Sequence, residues 1–111
     1  MGAVNAIPIV VSFLDRPACE RLAFTARRAL LHALDRFARR IRGVTVKIRD
    51  ENGDKGGLDQ RCSVAVDVGA GAPIHLHDVD SSAETAVRRL AGRAARIVRE
   101  TFARARARQR R

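Results

Sequence analysis

The sequence predicts a two-layer α+β domain in which two helices cover one face of a four-stranded, mostly antiparallel sheet, in the order β-α-β-β-β-α. Two long stretches carry apolar residues at helical spacing, and four short stretches alternate apolar and polar residues as strands do. Segments rich in glycine, proline and acidic residues separate the short stretches, as is typical of turns. The chain has 111 residues, enough for one modest core, so we expect a single domain.

Residues 6–13, AIPIVVSF, predict the first strand. Pro8 has no backbone N–H to donate, which favours an edge strand or a bulge at that point. The alternation places four side chains on the inner face: Ile7, Ile9, Val11 and Phe13.

The first helix is predicted to follow directly, with Asp15 as its N-cap and Pro17 in its first turn. Gly43 fits the left-handed position that ends a helix. One stripe between these limits is apolar: Leu22, Ala26, Leu30, Ala33, Phe37 and Ile41. The other side is polar and mainly basic, with Arg36 and Arg40 on its flank: Arg21, Arg28, His32, Asp35 and Arg39.

Three further strands are predicted over residues 44–50, 60–68 and 74–79. An acidic, glycine-rich hairpin loop joins the first two of these, and GAGAP at 69–73 makes the second turn. Side chains on the inner face are expected to be Val44, Val46, Ile48, Cys62, Val64, Val66, Val68, Ile74 and Leu76.

The last helix is predicted to start at a capping box formed by Ser81 and Glu84. Residues 1–103 are expected to form the domain, and residues 104–111 a basic, arginine-rich tail. The helix buries one apolar face: Val87, Leu90, Ala91, Ala94, Ile97, Val98, Phe102 and Ala105. Its opposite face carries Arg88, Arg89, Arg93, Arg96 and Arg99.

The formal charge is concentrated on the two helices. The chain has 22 basic and 12 acidic residues and a net charge of +10, of which residues 1–42 contribute +5, residues 43–80 −3 and residues 81–111 +8. An arginine-rich composition alone explains part of this excess, but two basic helix faces exceed what solubility requires. The charge therefore indicates a polyanionic partner. Because Trp and Tyr are absent, recognition by phosphate contacts and shape is expected, rather than by base stacking.

Candidates for metal binding or catalysis are weak. The hairpin loop has oxygen donors like a calcium-binding EF-hand loop, but Lys55 and Arg61 replace the required Gly and Glu. His75 and His77 are expected to point away from the helices, without a third ligand. Cys62 is expected to be buried, and Cys19 lies near a helix start without a catalytic partner. We therefore expect no metal site, no cofactor and no small-molecule substrate.

The element order resembles the ribosome hibernation family, which includes the short hibernation promoting factors, ribosome-associated translation inhibitors and ribosomal subunit interface proteins. The resemblance lies in VTVKIRDENGDKGGLDQRCSVAVDV, the Gly/Pro turn, and DVDSSAETAVRRLAGRAARIVRETF. Members bind the small ribosomal subunit where mRNA and tRNA would lie. The chain departs from the family at Ala83-Glu84-Thr85, where a Tyr is frequent, and in its first strand.

The resemblance implies binding to the small subunit and its 16S-type RNA through basic residues of both helices. Arg36, Arg93 and Arg96 match the family's basic positions, whereas Arg28, Arg88 and Arg89 are selected by charge and facing. The full set of candidate RNA-binding residues is Arg28, Arg36, Arg39, Arg40, Arg88, Arg89, Arg93, Arg96 and Arg99.

These expectations describe a cytoplasmic, non-enzymatic translation inhibitor that is monomeric away from the ribosome. The absence of a signal-peptide pattern and of a membrane-spanning run favours the cytoplasm. One alternative is a general binder of structured or double-stranded RNA, because such domains have a similar element order. A second is a metal- or thiol-dependent enzyme that uses His75, His77 or Cys19.

Overall fold

The computed structural model describes residues 7–51 and 59–110 and has the predicted α+β architecture. The strands and α-helices are β1 Ile9–Leu14, α1 Glu20–Leu34, β2 Gly43–Glu51, β3 Asp59–Asp67, β4 Ile74–Asp80 and α2 Ala83–Gln109. Four strands form one sheet in the order β1-β2-β3-β4, with β1 parallel to β2 and the other pairs antiparallel. Between Leu34 and β2 the chain forms a 3₁₀ helix, Asp35–Arg40.

The core lies between the sheet and both helices, as the period-two and helical patterns predict. Val11, Val46, Val64 and Leu76 pair in one row across the four strands. Val46 and Val64 are buried beneath the helices, together with Leu30 of α1. Burial of these apolar side chains fixes which face of each strand meets the helices, because a shift of one residue would expose the whole row.

The first helix begins and ends at residues other than those predicted. Its N-cap is Cys19, with no side-chain hydrogen bond, so the prediction of an Asp15 cap is wrong. Asp15 instead has a φ of 57° and accepts a 2.9 Å hydrogen bond from Arg49, which lies beside Leu14 in the sheet. A carboxylate engaged at the end of β1 is therefore too early in the chain to cap α1.

The role predicted for Gly43 is also wrong. α1 tightens into the 3₁₀ helix after Leu34, and the backbone is already extended at Ile41. Gly43 is the first residue of β2 and pairs with Asp67. The tighter helix lets Phe37 pack against Phe102 of α2, with ring centroids 5.6 Å apart.

The second helix starts one residue later than the capping box predicted. β4 extends to Asp80, so the N-cap is Ser82, whose hydroxyl accepts a 3.2 Å hydrogen bond from the Thr85 backbone N–H. Glu84 pairs with Arg88 instead of capping the helix. α2 continues to Gln109 and so includes most of the arginine-rich segment 104–111.

Of the two predicted turns, the structure describes the second in full and only the ends of the first. Positive φ values of 85° at Gly69 and 74° at Gly71 confirm the turn over GAGAP, since only glycine adopts them without strain. Residues 52–58 of the hairpin loop, including Lys55, lie outside the described residues, although Glu51 and Asp59 pair on either side. Neither α1 nor α2 has the apolar length needed to cross a bilayer.

Candidate nucleic-acid interface

The helix layer consists of α1, the 3₁₀ helix Asp35–Arg40 and α2. Its surface contains an open groove between α1 and α2, here called the interhelix groove. Its volume is about 500 Å³. The side chains that line it come from both helices and include two of the predicted RNA-binding arginines: Phe24, Thr25, Arg28, Ala29, His32 and Arg88. Side-by-side packing of two basic helices therefore produces a concave surface as well as a positive one.

The structure places all nine predicted arginines on the helix layer, but not in one cluster. Arg28 and Arg88 lie in the interhelix groove, and Arg36, Arg39 and Arg40 lie on the 3₁₀ helix. Arg89 and Arg93 lie along the β4 edge, because both contact the β4 backbone. Arg96 and Arg99 are exposed on α2 beyond the groove. The surface thus extends along α2 and across the C-terminal end of α1.

Two of the nine arginines are already paired with carboxylates. Arg88 binds Glu84 at 3.0 Å, four residues earlier on the same helix. Arg89 binds Asp78 at 2.7 Å and Asp80 at 3.1 Å. Both carboxylates that bind Arg89 come from the end of β4, beside α2, and not from the helix itself. The hydrogen bond from Arg89 holds the pKa of Asp78 below its ordinary value.

Arg93 is partly buried but keeps its charge available. Its guanidinium donates a 3.1 Å hydrogen bond to the His77 carbonyl oxygen, a neutral acceptor. Within residues 7–51 and 59–110, seven of the nine candidates form no ion pair: Arg28, Arg36, Arg39, Arg40, Arg93, Arg96 and Arg99. Among the nine candidates, these seven guanidinium groups therefore have no carboxylate of the described residues to offset their charge.

Aromatic rings orient two arginines at the C-terminal end of α1. The Arg40 guanidinium lies 3.8 Å from the centroid of the Phe102 ring, and Arg36 lies 6.0 Å from that of Phe37. A guanidinium that stacks through its face keeps its N–H groups free at the edge. Stacking therefore positions Arg40 without using the donors that a phosphate would accept from.

Phe24 was not assigned a role from the sequence, yet it lies in the interhelix groove with 59% of its surface exposed. The Arg28 guanidinium is 5.7 Å from its ring centroid. The signal was present, since Phe24 falls two residues after Leu22 and therefore lies well off the apolar stripe. The absence of Trp and Tyr therefore does not remove every exposed aromatic ring from the helix layer.

The residues considered for an enzyme remain dispersed. His75 and His77 are exposed on the sheet face opposite the helices, where they pair with Ala65 and Ser63 of β3. In the described part of the chain, no three His, Cys, Asp or Glu side chains are grouped to hold a metal ion. Burial, with a smaller contribution from Asp78, raises the pKa of Cys62 to about 11, which leaves a neutral thiol at physiological pH.

Comparison with known proteins gives similarity in structure but not in sequence. No family model matches the chain, and no curated protein sequence is significantly similar to it. A ribosomal subunit interface protein from Coxiella burnetii superposes with a TM-score of 0.74 at 12% identity, over 87% of this chain and 99% of that one. The N-terminal domain of Protein Y from Thermus thermophilus superposes with a TM-score of 0.61 at 14% identity, over 86% and 97%. The resemblance inferred from the sequence is thus confirmed at the level of the fold.

Proposed function

We propose that this protein binds the small ribosomal subunit through its helix layer and inhibits translation by occupying the channel used by mRNA and tRNA. The observation that carries the proposal is the set of seven arginines without a carboxylate partner among the described residues, on a fold shared with a ribosomal subunit interface protein. In this proposal the protein acts in the cytoplasm, has no enzymatic activity and is monomeric away from the ribosome.

Phosphate contacts supply the binding energy in this proposal. Each arginine that neutralises an RNA phosphate releases condensed counterions, which makes the affinity strongly dependent on salt. Arg96 and Arg99 present exposed guanidinium groups along α2, and Arg40 presents one held by Phe102. Folded RNA suits such a surface, because its closely spaced phosphates are recognised by shape.

The dimensions of the molecule support inhibition by exclusion. The Cα atoms described extend over 54 × 34 × 18 Å, so the protein is a slab with one broad basic side. α2 has 27 residues, which corresponds to about 40 Å of continuous helix. A rigid body of this size in the channel leaves no room for a tRNA.

The test is co-sedimentation with purified small subunits at low and moderate salt, with cell-free translation alongside. The variant Arg96→Glu reverses a charge on the helix layer, and Lys47→Glu makes the same change on the opposite sheet face. We expect Arg96→Glu to weaken binding and to reduce the salt slope by about 0.9 for each phosphate that is no longer neutralised. Lys47→Glu should bind and inhibit nearly as wild type does. The double variant Arg93→Glu/Arg96→Glu should lose binding.

Each other outcome has a definite meaning. Equal losses for Arg96→Glu and Lys47→Glu would show that the helix layer is not the interface. Failure of the wild-type protein to pellet with small subunits would refute the ribosomal function. Equally tight binding to naked duplex RNA would favour the alternative, a general binder of structured RNA.

A further inference from the structure

We propose that the interhelix groove binds one unpaired nucleobase, stacked on the ring of Phe24, while the surrounding arginines hold the adjoining phosphates. This inference rests on the proposed function and deepens it, since it adds base recognition to a surface otherwise suited to phosphate alone. The ligand class is a single-stranded or bulged nucleotide of an RNA.

Exposure of Phe24 is the first observation. Four large apolar side chains in the described ranges are exposed: Val10, Leu14, Phe24 and Val79. The other three lie on strands, whereas Phe24 lies on α1 within the basic helix layer. An aromatic ring with 59% exposure contributes little to the buried core, and its exposed surface is one on which a base can stack.

The charges around the ring are the second observation. Arg28 follows Phe24 by four residues, so helical geometry places it beside the ring, and its side chain lines the groove. Arg28 lies 5.7 Å from the ring centroid and has no carboxylate partner among the described residues. Arg88, across the groove, is paired with Glu84 at 3.0 Å. Positive charge is therefore greater on the α1 side of the groove than at its α2 wall.

This distribution matches the chemistry of a nucleotide. The uncharged base enters the groove against Phe24, and its phosphates meet Arg28 at the α1 side. The groove volume of about 500 Å³ lies within the range of roughly 300–1,000 Å³ typical of small-ligand sites. Thr25 and His32 also line the groove and supply polar groups that can contact the base edge.

The experiment compares two ten-residue probes of equal charge, an oligoadenylate and an abasic oligonucleotide of the same length. Affinities are measured by fluorescence anisotropy for wild type, Phe24→Leu and Phe24→Trp. Val10→Ala is the matched control, because Val10 is 58% exposed on the helix-free sheet face. Thermal melting of each variant establishes that it folds, as expected for changes at exposed positions.

We expect Phe24→Leu to lower the affinity for oligoadenylate by about 5- to 150-fold, the range found for loss of one stacked base. Its affinity for the abasic probe should be unchanged, because the phosphate contacts remain. Phe24→Trp should restore oligoadenylate binding, and Val10→Ala should match wild type with both probes. Equal effects of Phe24→Leu on the two probes, or no effect on either, would overturn the stacking proposal.

Co-sedimentation of the same proteins with small subunits separates the two proposals. If Phe24 discriminates between the probes but wild type does not pellet with subunits, the nucleobase site stands and the ribosomal function fails. If wild type and Phe24→Leu pellet equally and neither discriminates between the probes, the ribosomal function stands and the nucleobase site fails.

Discussion

The nine arginines predicted to bind RNA differ in how much of their charge the fold leaves available. Arg89 is held by two carboxylates of β4, whereas Arg96 and Arg40 form no ion pair with any described residue. Charge and facing do not distinguish these residues in the sequence, since all three are exposed on the same layer. Substitution of Arg89 should therefore affect the α2–β4 contact, and substitution of Arg96 should affect binding.

The Arg89–Asp78 contact predicts a pH dependence of stability. Arg89 holds the pKa of Asp78 below its ordinary value, so the charged carboxylate stabilises the folded state. That stabilisation is present above the unfolded-state pKa and is lost as the pH falls through the lower, folded-state pKa. Asp78→Asn should lower the melting temperature at pH 7, and its difference from wild type should begin to shrink below about pH 4 and should close only below the lowered pKa of Asp78 in the folded state.

Glu100→Gln is the control for this measurement, because Glu100 is exposed and forms no ion pair within the described ranges. The melting temperature of Glu100→Gln should equal that of wild type at pH 7 and at about pH 2. A difference between Asp78→Asn and wild type that persists undiminished at about pH 2 would show that charge pairing is not the cause.

The two cysteines should differ sharply in reactivity. Cys62 is fully buried with its pKa raised to about 11, whereas Cys19 is partly exposed at the start of α1. Since the thiolate is the reactive form, we expect a thiol reagent at about pH 7.5 to modify one cysteine in the folded protein and both after denaturation. Cys19→Ser should abolish the fast reaction. Rapid modification of Cys62 in that variant would contradict the packing of β3 beneath α2.

At the scale of the element, α2 illustrates how a cap depends on the preceding strand. Both Ser81 and Ser82 are suitable capping residues, and only the end of β4 at Asp80 decides between them. Asp80 also accepts a 2.8 Å hydrogen bond from the Ser82 backbone N–H, which fixes the chain where the helix begins. The sequence therefore located the helix start to within one residue.

This assignment predicts different effects for two neighbouring serines. Ser82→Ala should lower the free energy of unfolding by about 1 kcal/mol, the usual cost of losing an N-cap. Ser81→Ala should change it by less than about 0.5 kcal/mol, as exposed substitutions usually do. Urea denaturation of both variants provides the measurement. A larger decrease in the free energy of unfolding for Ser81→Ala than for Ser82→Ala would support Ser81 as the N-cap, as the sequence predicts.

Considered as a whole, the molecule carries most of its positive charge on the helix layer. The net charge of +10 lies mainly on segments that form the helices, and the α1–α2 contact brings those segments together. Such a surface favours anion binding and also repels itself. The interface proposed for RNA should therefore be a source of instability in the free protein.

Salt should then stabilise the free protein while it weakens RNA binding. Raising ionic strength from about 0.01 to about 0.15 M shortens the screening length from about 30 to about 8 Å, which screens repulsion along the helix layer. We expect the melting temperature to rise over this range, and to rise less for Arg96→Glu. A decrease in melting temperature with salt would show that the surface ion pairs outweigh the repulsion.

The order of the elements, their buried faces and the layer that carries the charge were all predictable from the sequence. Local periodicity is sufficient for this, because residues three and four apart share a helix face and alternate residues share a strand face. Val46, Val64 and Leu90 were assigned correctly to the core on that basis.

The pairing of the arginines and the position of Phe24 depend on how the helices pack against each other and against the sheet. Arg89 meets Asp78 and Asp80 because α2 packs beside β4. Phe24 faces Arg88 across a groove because α1 packs beside α2. Such contacts depend on the positions of separate elements in space, which the periodicity within each element does not specify.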